Sequence, residues 1–538
     1  MTPVPSLHRP AQVLLVNGRI YAPGSPTAMA VTGDTIAWLG GDDAGRALYP
    51  DAELVDLAGA FVAPAFVDAH VHATSTGLLL DGLDLTGCRS LVDCLFAVRV
   101  FVAGRAPNDV VWGHGWDETT WPESRPPTRA ELDEAASGVP VYLSRVDVHS
   151  ALITSSLALL VPQAWNTPGW SALGPVSQEA HHHIRGAARA ALNPARRRVA
   201  QRAFLDHAAA RGVAAVHECA GPDISGRDDL TDLLATTGGP EVVGYWGERA
   251  DPALAAELGV RGLAGDLFAD GAIGSRTAAL AEPYTDDPTN HGAAYLDAAD
   301  IAEHVIACTR AGIQAGFHVI GDAAVAAVVE GFAAAERALG APALAARNHR
   351  VEHLEMVTAE QAAQLGAWGV IGSVQPAFDA AWGGTDGMYA KRLGGKRGTA
   401  LNPFAALAAG GVSLAFGSDS PVTPVDPWGA IRAAVHHRTD GFGISPRAAF
   451  TAHTRGGWRA AGDPDTGTLI PGAPATYAVW NAGELVAPGQ DTRVARWSTD
   501  PRSGVPGLPA VAPDTALPVC LRTVLRGQVI FDGGVVGS

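Results

Sequence analysis

Residues 66–77 read FVDAHVHATSTG: an apolar run that ends in His70 and His72, one residue apart, ahead of a small-residue segment. Residues two apart on a strand face the same side, so the two imidazoles can converge on one ion. Eighteen histidines in 538 residues would give roughly one such pair by chance. Its meaning therefore depends on what the chain places at the ends of its other apolar runs.

Downstream, short apolar runs end in polar residues: GVAAVHECAG (212–221), IQAGFHVIGDAA (313–324), HRVEHLE (349–355), GVIGSVQPAF (369–378) and VSLAFGSDSPV (412–422). Ala-rich helical stretches such as AAVAAVVEGFAAAERAL (323–339) separate them. Buried strands alternating with helices predict a parallel α/β architecture. Polar residues gathered at the C-terminal ends of the strands favour a (β/α)8 TIM barrel, which builds its active site there. A doubly wound sheet is the alternative, but no GxGxxG phosphate turn follows the first strand. His318, His353 and Asp419 then join His70 and His72 as candidate ligands. Imidazole and carboxylate suit a divalent ion, most simply Zn2+, and a hydrolytic site keeps one position for water. Each residue alone has a structural explanation. The ordered set, each member at a strand end, points to a metal site.

The two ends of the chain read differently. QVLLVNGRIYAP (12–23), AMAVTGDTIAWLG (28–40), ATYAVWNAG (475–483) and PVCLRTVLRGQVIFDGG (518–534) are strand-rich runs broken by turn residues. They predict a composite β-sandwich domain formed by both termini, residues 1–62 and 466–538, around a barrel at 63–465. Between about 90 and 200 the pattern loosens into Trp-, Pro- and charge-rich text, read as an excursion from the barrel.

Composition bounds the rest. Forty-seven per cent of residues are hydrophobic and 17% charged, enough for a large core. A net charge of −17 argues against nucleic-acid or anionic-membrane partners. The five cysteines are scattered, without CxxC, which predicts free thiols in a reducing compartment. No long apolar leader opens the chain and no 18-residue apolar run follows. A cytoplasmic protein acting on a small molecule is the expectation, with homo-oligomer formation left open.

In that order of motifs the sequence resembles the amidohydrolase superfamily, most closely amidohydrolase family 3, the branch with N-substituted formamide deformylases. The resemblance runs through FVDAHVHA, WGHGWDETTWPESRPPTRAELD, SRVDVHSALITS, LFADGAIGSRTAAL, HVIGDAA, VEHLE, SVQPAF and FGSDSPV, and ends in GTLIPGAPATYAVWN. It implies a metal-dependent hydrolase of non-peptide C–N bonds, with an amide or formamide as substrate. His70 and His72 would hold the more buried metal, and His318 and His353 the more exposed one. Asp419 would orient the attacking water, take its proton and pass it to the leaving nitrogen.

The resemblance has one departure. Many family members carry, two residues before the Phe of LFADG, a lysine that is carboxylated and bridges two metals. Here that position is Asp266, and the only lysines are Lys391 and Lys396. Asp266 is expected to serve as a ligand instead, in a site with one tightly bound ion and room for a weaker second. The same departure keeps a metal-free, ligand-binding relative as an alternative. An aminohydrolase (deaminase) is the other; it would need a glutamate three residues after His318, where this chain has Gly321. Trp116, Asp117, His149, Arg276 and Asp322 are the candidate substrate contacts, weighed against structural roles. Glu218 is a reserve ligand, and the run His181–His183 reads as a solvated helix entry.

Overall fold

The computed structural model describes residues 11–105, 110–249, 251–486 and 507–534. Residues 1–10 and 487–506, which fall in the segments assigned to the terminal domain, lie outside the described residues. Eight parallel strands form one sheet in unbroken chain order: β1 (Phe66–Val71), β2 (Val213–Ala220), β3 (Glu241–Trp246), β4 (Gly262–Leu263), β5 (Gln314–Val319), β6 (Arg350–His353), β7 (Ile371–Val374) and β8 (Ser413–Phe416). Every residue of β1, β2 and β5 is buried, as expected of strands covered on both faces. The helix Asp322–Leu339 buries Val325, Val328, Val329 and Phe332, a spacing of three, one and three that makes one apolar stripe against the sheet.

Closure of the barrel sets the stage for the chemistry. The loop after β8 returns to β1 through Asp419 N–H to His70 O at 2.8 Å and His72 N–H to Ser420 O at 2.9 Å. Gly417 permits the approach, since a Cβ there would stand 2.5 Å from the His70 nitrogen. The barrel therefore shuts at the histidine pair itself.

The termini meet as the strand pattern predicts. A five-stranded sheet orders Arg19–Ile20, Phe61–Pro64, Tyr477–Asn481, Val519–Leu525 and Gln528–Asp532. A four-stranded N-terminal sheet packs against it through a common core that includes Leu15, Met29, Ile36, Val62 and Val479. The chain between β1 and β2 is more regular than its sequence suggests. It holds its own five-stranded sheet, with Val111–Trp116, Val141–Arg145 and Ser150–Ile153 at the centre. The Pro-rich text that obscured it is the loop from Trp116 to the helix Arg129–Ala136. Among the described residues no helix is long and apolar enough to cross a membrane.

Candidate metal centre

Five of the eight strand ends deliver one or two polar side chains to the same point. His70 and His72 come from the end of β1, His318 from β5 and His353 from β6, while Asp266 follows β4 and Asp419 follows β8. All six are buried. Asp419 Oδ1 lies 3.1 Å from His72 Nε2 and 3.5 Å from His70 Nε2. Asp266 Oδ1 lies 3.4 Å from His70 Nε2 and 3.5 Å from His318 Nδ1, and its Oδ2 lies 3.3 Å from His72 Nε2. Two ligand atoms sharing one tetrahedral Zn2+ at about 2.0–2.1 Å would be roughly 3.3 Å apart. His70 Nε2, Asp266 Oδ1 and Asp419 Oδ1 have no hydrogen-bond partner despite burial. Orphaned donors and acceptors at that spacing fit a divalent cation, and His70, His72 and Asp419 form one compact trio, with His70, Asp266 and His353 forming another.

The backbone at two of these residues is strained. His353 has φ 70° and Asp419 φ 54°, left-handed values that cost non-glycine residues free energy. Both sit on the turn out of a strand, where the strain aims a side chain across the barrel mouth.

The imidazoles are held from behind. His70 Nδ1 lies 2.9 Å from Glu352 Oε2. A carboxylate only accepts, so the Nδ1 proton points at Glu352 and the Nε2 lone pair points into the cluster. Glu352 in turn receives Arg350 Nε at 2.6 Å and Nη2 at 2.8 Å, with both residues fully buried. Burial opposes its ionisation, but the Arg350 guanidinium and the His70 hydrogen bond hold its carboxyl well below the usual range. His353 gives its Nδ1–H to Gln375 Oε1 at 2.8 Å, leaving Nε2 for the cluster. A third grouping, His70 with Cys219 and Glu352, belongs to this support. Burial pushes the Cys219 thiol up to about 12. Asp266 is different: burial opposes its charge, but His70, His318 and His72 hold the carboxyl well below its ordinary value. It is a ready anion.

Glu352 and Arg350 were not singled out from sequence, although Glu352 adjoins His353 in VEHLE. Glu352→Gln is expected to weaken metal retention about 10–100-fold by loosening His70. It should also destabilise the chain by about 3–5 kcal/mol, because Arg350 loses its buried counter-charge. Urea unfolding and competition with a chelator measure the two effects; unchanged values in both would remove Glu352 from the support of the site.

The expected substrate contacts divide. His149 lines the cleft, its ring centroid 5.0 Å from that of His318. The other four do not line it. Trp116 is 1% exposed in the core of the inserted sheet, its Nε1–H donating to Leu143 O at 2.9 Å. Asp117 accepts from Arg145 Nη2 at 2.9 Å. Arg276 is paired with Asp286 through bonds of 3.1 and 2.8 Å. Asp322 opens the helix Asp322–Leu339 and accepts from Ala281 N at 2.9 Å. Charged groups near strand ends found partners on neighbouring loops, which strand spacing cannot reveal. Trp116→Ala should therefore cost about 3–5 kcal/mol of stability and leave KM unchanged. A shifted KM at unchanged stability would return Trp116 to the substrate wall.

Two other readings change. Glu218 stands behind the site, accepting Ala73 N–H at 2.8 Å, with burial pushing its carboxyl up to about 7. The histidine run lies inside the helix Gln178–Ala190: His181 is buried and shares a 2.7 Å hydrogen bond with Tyr142, and His182 packs on Phe268. His182 and His183 are half-buried, His183 the more exposed of the two. The cleft above the cluster measures about 700 Å3 with its open mouth, and its lining includes Trp112, Tyr142, His149, Arg185 and Phe268.

Residues 53–531 match the sequence profile described as the amidohydrolase family. The chain is similar to Protein LONG AFTER FAR-RED 3 of Arabidopsis thaliana, 27% identical over 515 residues, 87% of each chain. It is also similar to the N-substituted formamide deformylase of Arthrobacter pascens, 24% identical across 79% of this chain and 83% of that one. Among solved structures it resembles an uncharacterized metal-dependent hydrolase from Pyrococcus furiosus. The TM-score is 0.68 at 27% identity, covering 87% of this chain and 98% of the other.

Proposed function

Since the chain belongs to the amidohydrolase family, we propose that it is a metal-dependent hydrolase cleaving a non-peptide C–N bond in an amide or N-substituted formamide. The observation that carries this reading is the convergence of His70, His72, Asp266, His318, His353 and Asp419 at the C-terminal mouth of the barrel, with buried polar atoms left unpaired among them. These six would hold the ion, most simply Zn2+. When bound, such an ion acidifies water and polarises a carbonyl.

The chain's own residues supply the rest. Asp419 Oδ1 has no hydrogen-bond partner of its own, so it is free to accept a proton from water and return it to the departing nitrogen. Glu352 and Gln375 keep His70 and His353 in the tautomers that face the cluster. Burial, with His318, Arg185 and His353 nearby, pushes the His149 imidazole well below its ordinary range against the pull of Asp266, which suits it to orient a substrate carbonyl or amide. Deamination is disfavoured on steric grounds. A Cβ at Gly321 would stand 2.0 Å from the Ala279 carbonyl oxygen, leaving no room for the glutamate that such chemistry uses.

The test is a panel of N-formyl, N-acyl and cyclic amides assayed with Zn2+ added and after chelation. Hydrolysis that disappears on chelation and returns with metal is expected. Turnover indifferent to metal, or release of ammonia from ring amines without amide cleavage, would overturn the reading.

A further inference from the structure

The cleft has a cationic wall that the hydrolytic centre does not use. Arg185 and Arg189 lie four residues apart on the helix Gln178–Ala190, hence on one face, and both line the cleft. Arg185 is 6% exposed, and its Nε and Nη2 have no hydrogen-bond partner. No carboxylate pairs with it among the described residues. Arg189 is little better served. Its hydrogen bond to Asp223 O is 3.4 Å long, and burial together with Arg185 pushes its pKa down to about 10. Asp229 favours the charge on Arg189, but its Oδ1 is engaged by Thr74 and Gln201, and no ion pair joins it to Arg189 among the described residues.

Asp266 and Asp419 line the same cleft and Asp223 lies 3.7 Å from His182, but none of these carboxylates pairs with Arg185 among the described residues. Burial and then Arg185 push the imidazoles of His181 and His182 below their ordinary range, with Asp223 opposing at His182. An unpaired buried guanidinium costs several kcal/mol. Partners are not scarce in a chain with 55 acidic and 38 basic residues, so this vacancy sits where a ligand would fill it. The planar fork of arginine matches an oxyanion through two parallel hydrogen bonds. His149 lines the cleft with Arg185 and with the metal-cluster residue His318, its ring centroid 5.0 Å from that of His318. Phe268 and Ile224 supply apolar lining along the same cleft.

We propose that Arg185, with Arg189 beside it, docks an oxyanion group of the substrate. The substrates are then N-acyl or N-formyl compounds that carry a carboxylate or a phosphate-type group away from the scissile bond. The substrate class rests on the hydrolase reading, whereas the anion site does not. The test therefore uses three ligands without a C–N bond: 4-phenylbutyrate, 3-phenylpropylphosphonate and neutral 4-phenylbutanol, titrated by calorimetry into the metal-loaded protein. At least one anion should bind 10-fold or more tightly than the alcohol, and whichever it is identifies the group recognised. In Arg185→Met that advantage should fall to about onefold, with alcohol affinity, metal content and thermal midpoint preserved. Arg185→Gln should behave alike. An advantage that survives both variants and the Arg185→Met/Arg189→Met pair overturns the proposal, as does equal or absent binding of the anions. A fall of several degrees in both single variants would show a structural arginine and also overturn it. Hydrolysis of N-formylphenylalanine over N-formylphenylalaninamide reports separately on the substrate class, and loss of turnover with the anion preference intact would sink only the hydrolase reading.

Discussion

Asp419→Asn is expected to retain its metal and lose about 10²–10⁴-fold in kcat, the usual contribution of a positioned proton acceptor. The geometry separates the two roles. Asp419 is located by its backbone, whose N–H donates to His70 O at 2.8 Å, so the side chain need not hold the loop. Its φ of 54° lies in the region that asparagine tolerates as well as aspartate. The amide oxygen can occupy the place of Oδ1, 3.1 Å from His72 Nε2, and can still accept a hydrogen bond from water. It cannot take the proton at neutral pH. Metal analysis beside steady-state kinetics checks both halves. Near-normal kcat would remove Asp419 from the proton path, and stoichiometric loss of metal would show that the carboxylate charge, which asparagine lacks, is needed to hold the ion.

The strand ends were legible because two physical regularities were printed in the residues. Buried parallel strands read as short apolar runs, and a barrel gathers its chemistry where those runs stop. Hence β1, β5 and β6 could be placed around His70, His318 and His353, and the loop after β8 around Asp419. What lies between side chains on different loops was not legible. Asp117 and Arg276 looked available in sequence, yet Arg145 and Asp286 occupy them. Trp116 ends a strand of the inserted sheet, and only the packing shows that its ring turns inward. The histidine run was misjudged because polar text hides a strong amphipathic helix: His181 and Arg185 are four apart and share the buried face. Period 3.6 applied to residues 178–190 would have shown it. Glu352 carried a signal too, as a carboxylate one residue before a candidate ligand, but the face it occupies on β6 points at His70 from behind.

The lysine that this chain lacks bears on the largest effect expected at the site. Asp266→Ala should lose tightly bound metal and, with it, nearly all activity. One short carboxylate can face both histidine pairs here because the backbone comes close. A Cβ at Gly247 would stand 2.5 Å from the Asp266 carbonyl, and the neighbouring Gly265 (φ 78°) packs against Cys219. As a result Oδ1 of Asp266 lies between His70 and His318, and Oδ2 faces His72. Neither lysine can stand in: Lys391 reaches Thr119 O at 2.9 Å, on the inserted sheet's side, and Lys396 is exposed. Activity should therefore be indifferent to added bicarbonate, because no carbamate has to form. Removing Asp266 also removes the charge that offsets an ion among four imidazoles, which asparagine at the same position would restore only in its hydrogen-bonding geometry. The wild-type chain should gain about 2.7 kcal/mol from metal held at 100 times its Kd, by linkage of binding to folding. Asp266→Ala should show no such gain, and Asp266→Asn a reduced one. Dialysed samples analysed for metal, with thermal unfolding run with and without chelator, give both readouts. Two tightly bound ions per chain, fully retained in Asp266→Ala, would mean that the histidines and Asp419 suffice and that Asp266 is a bystander to the metal.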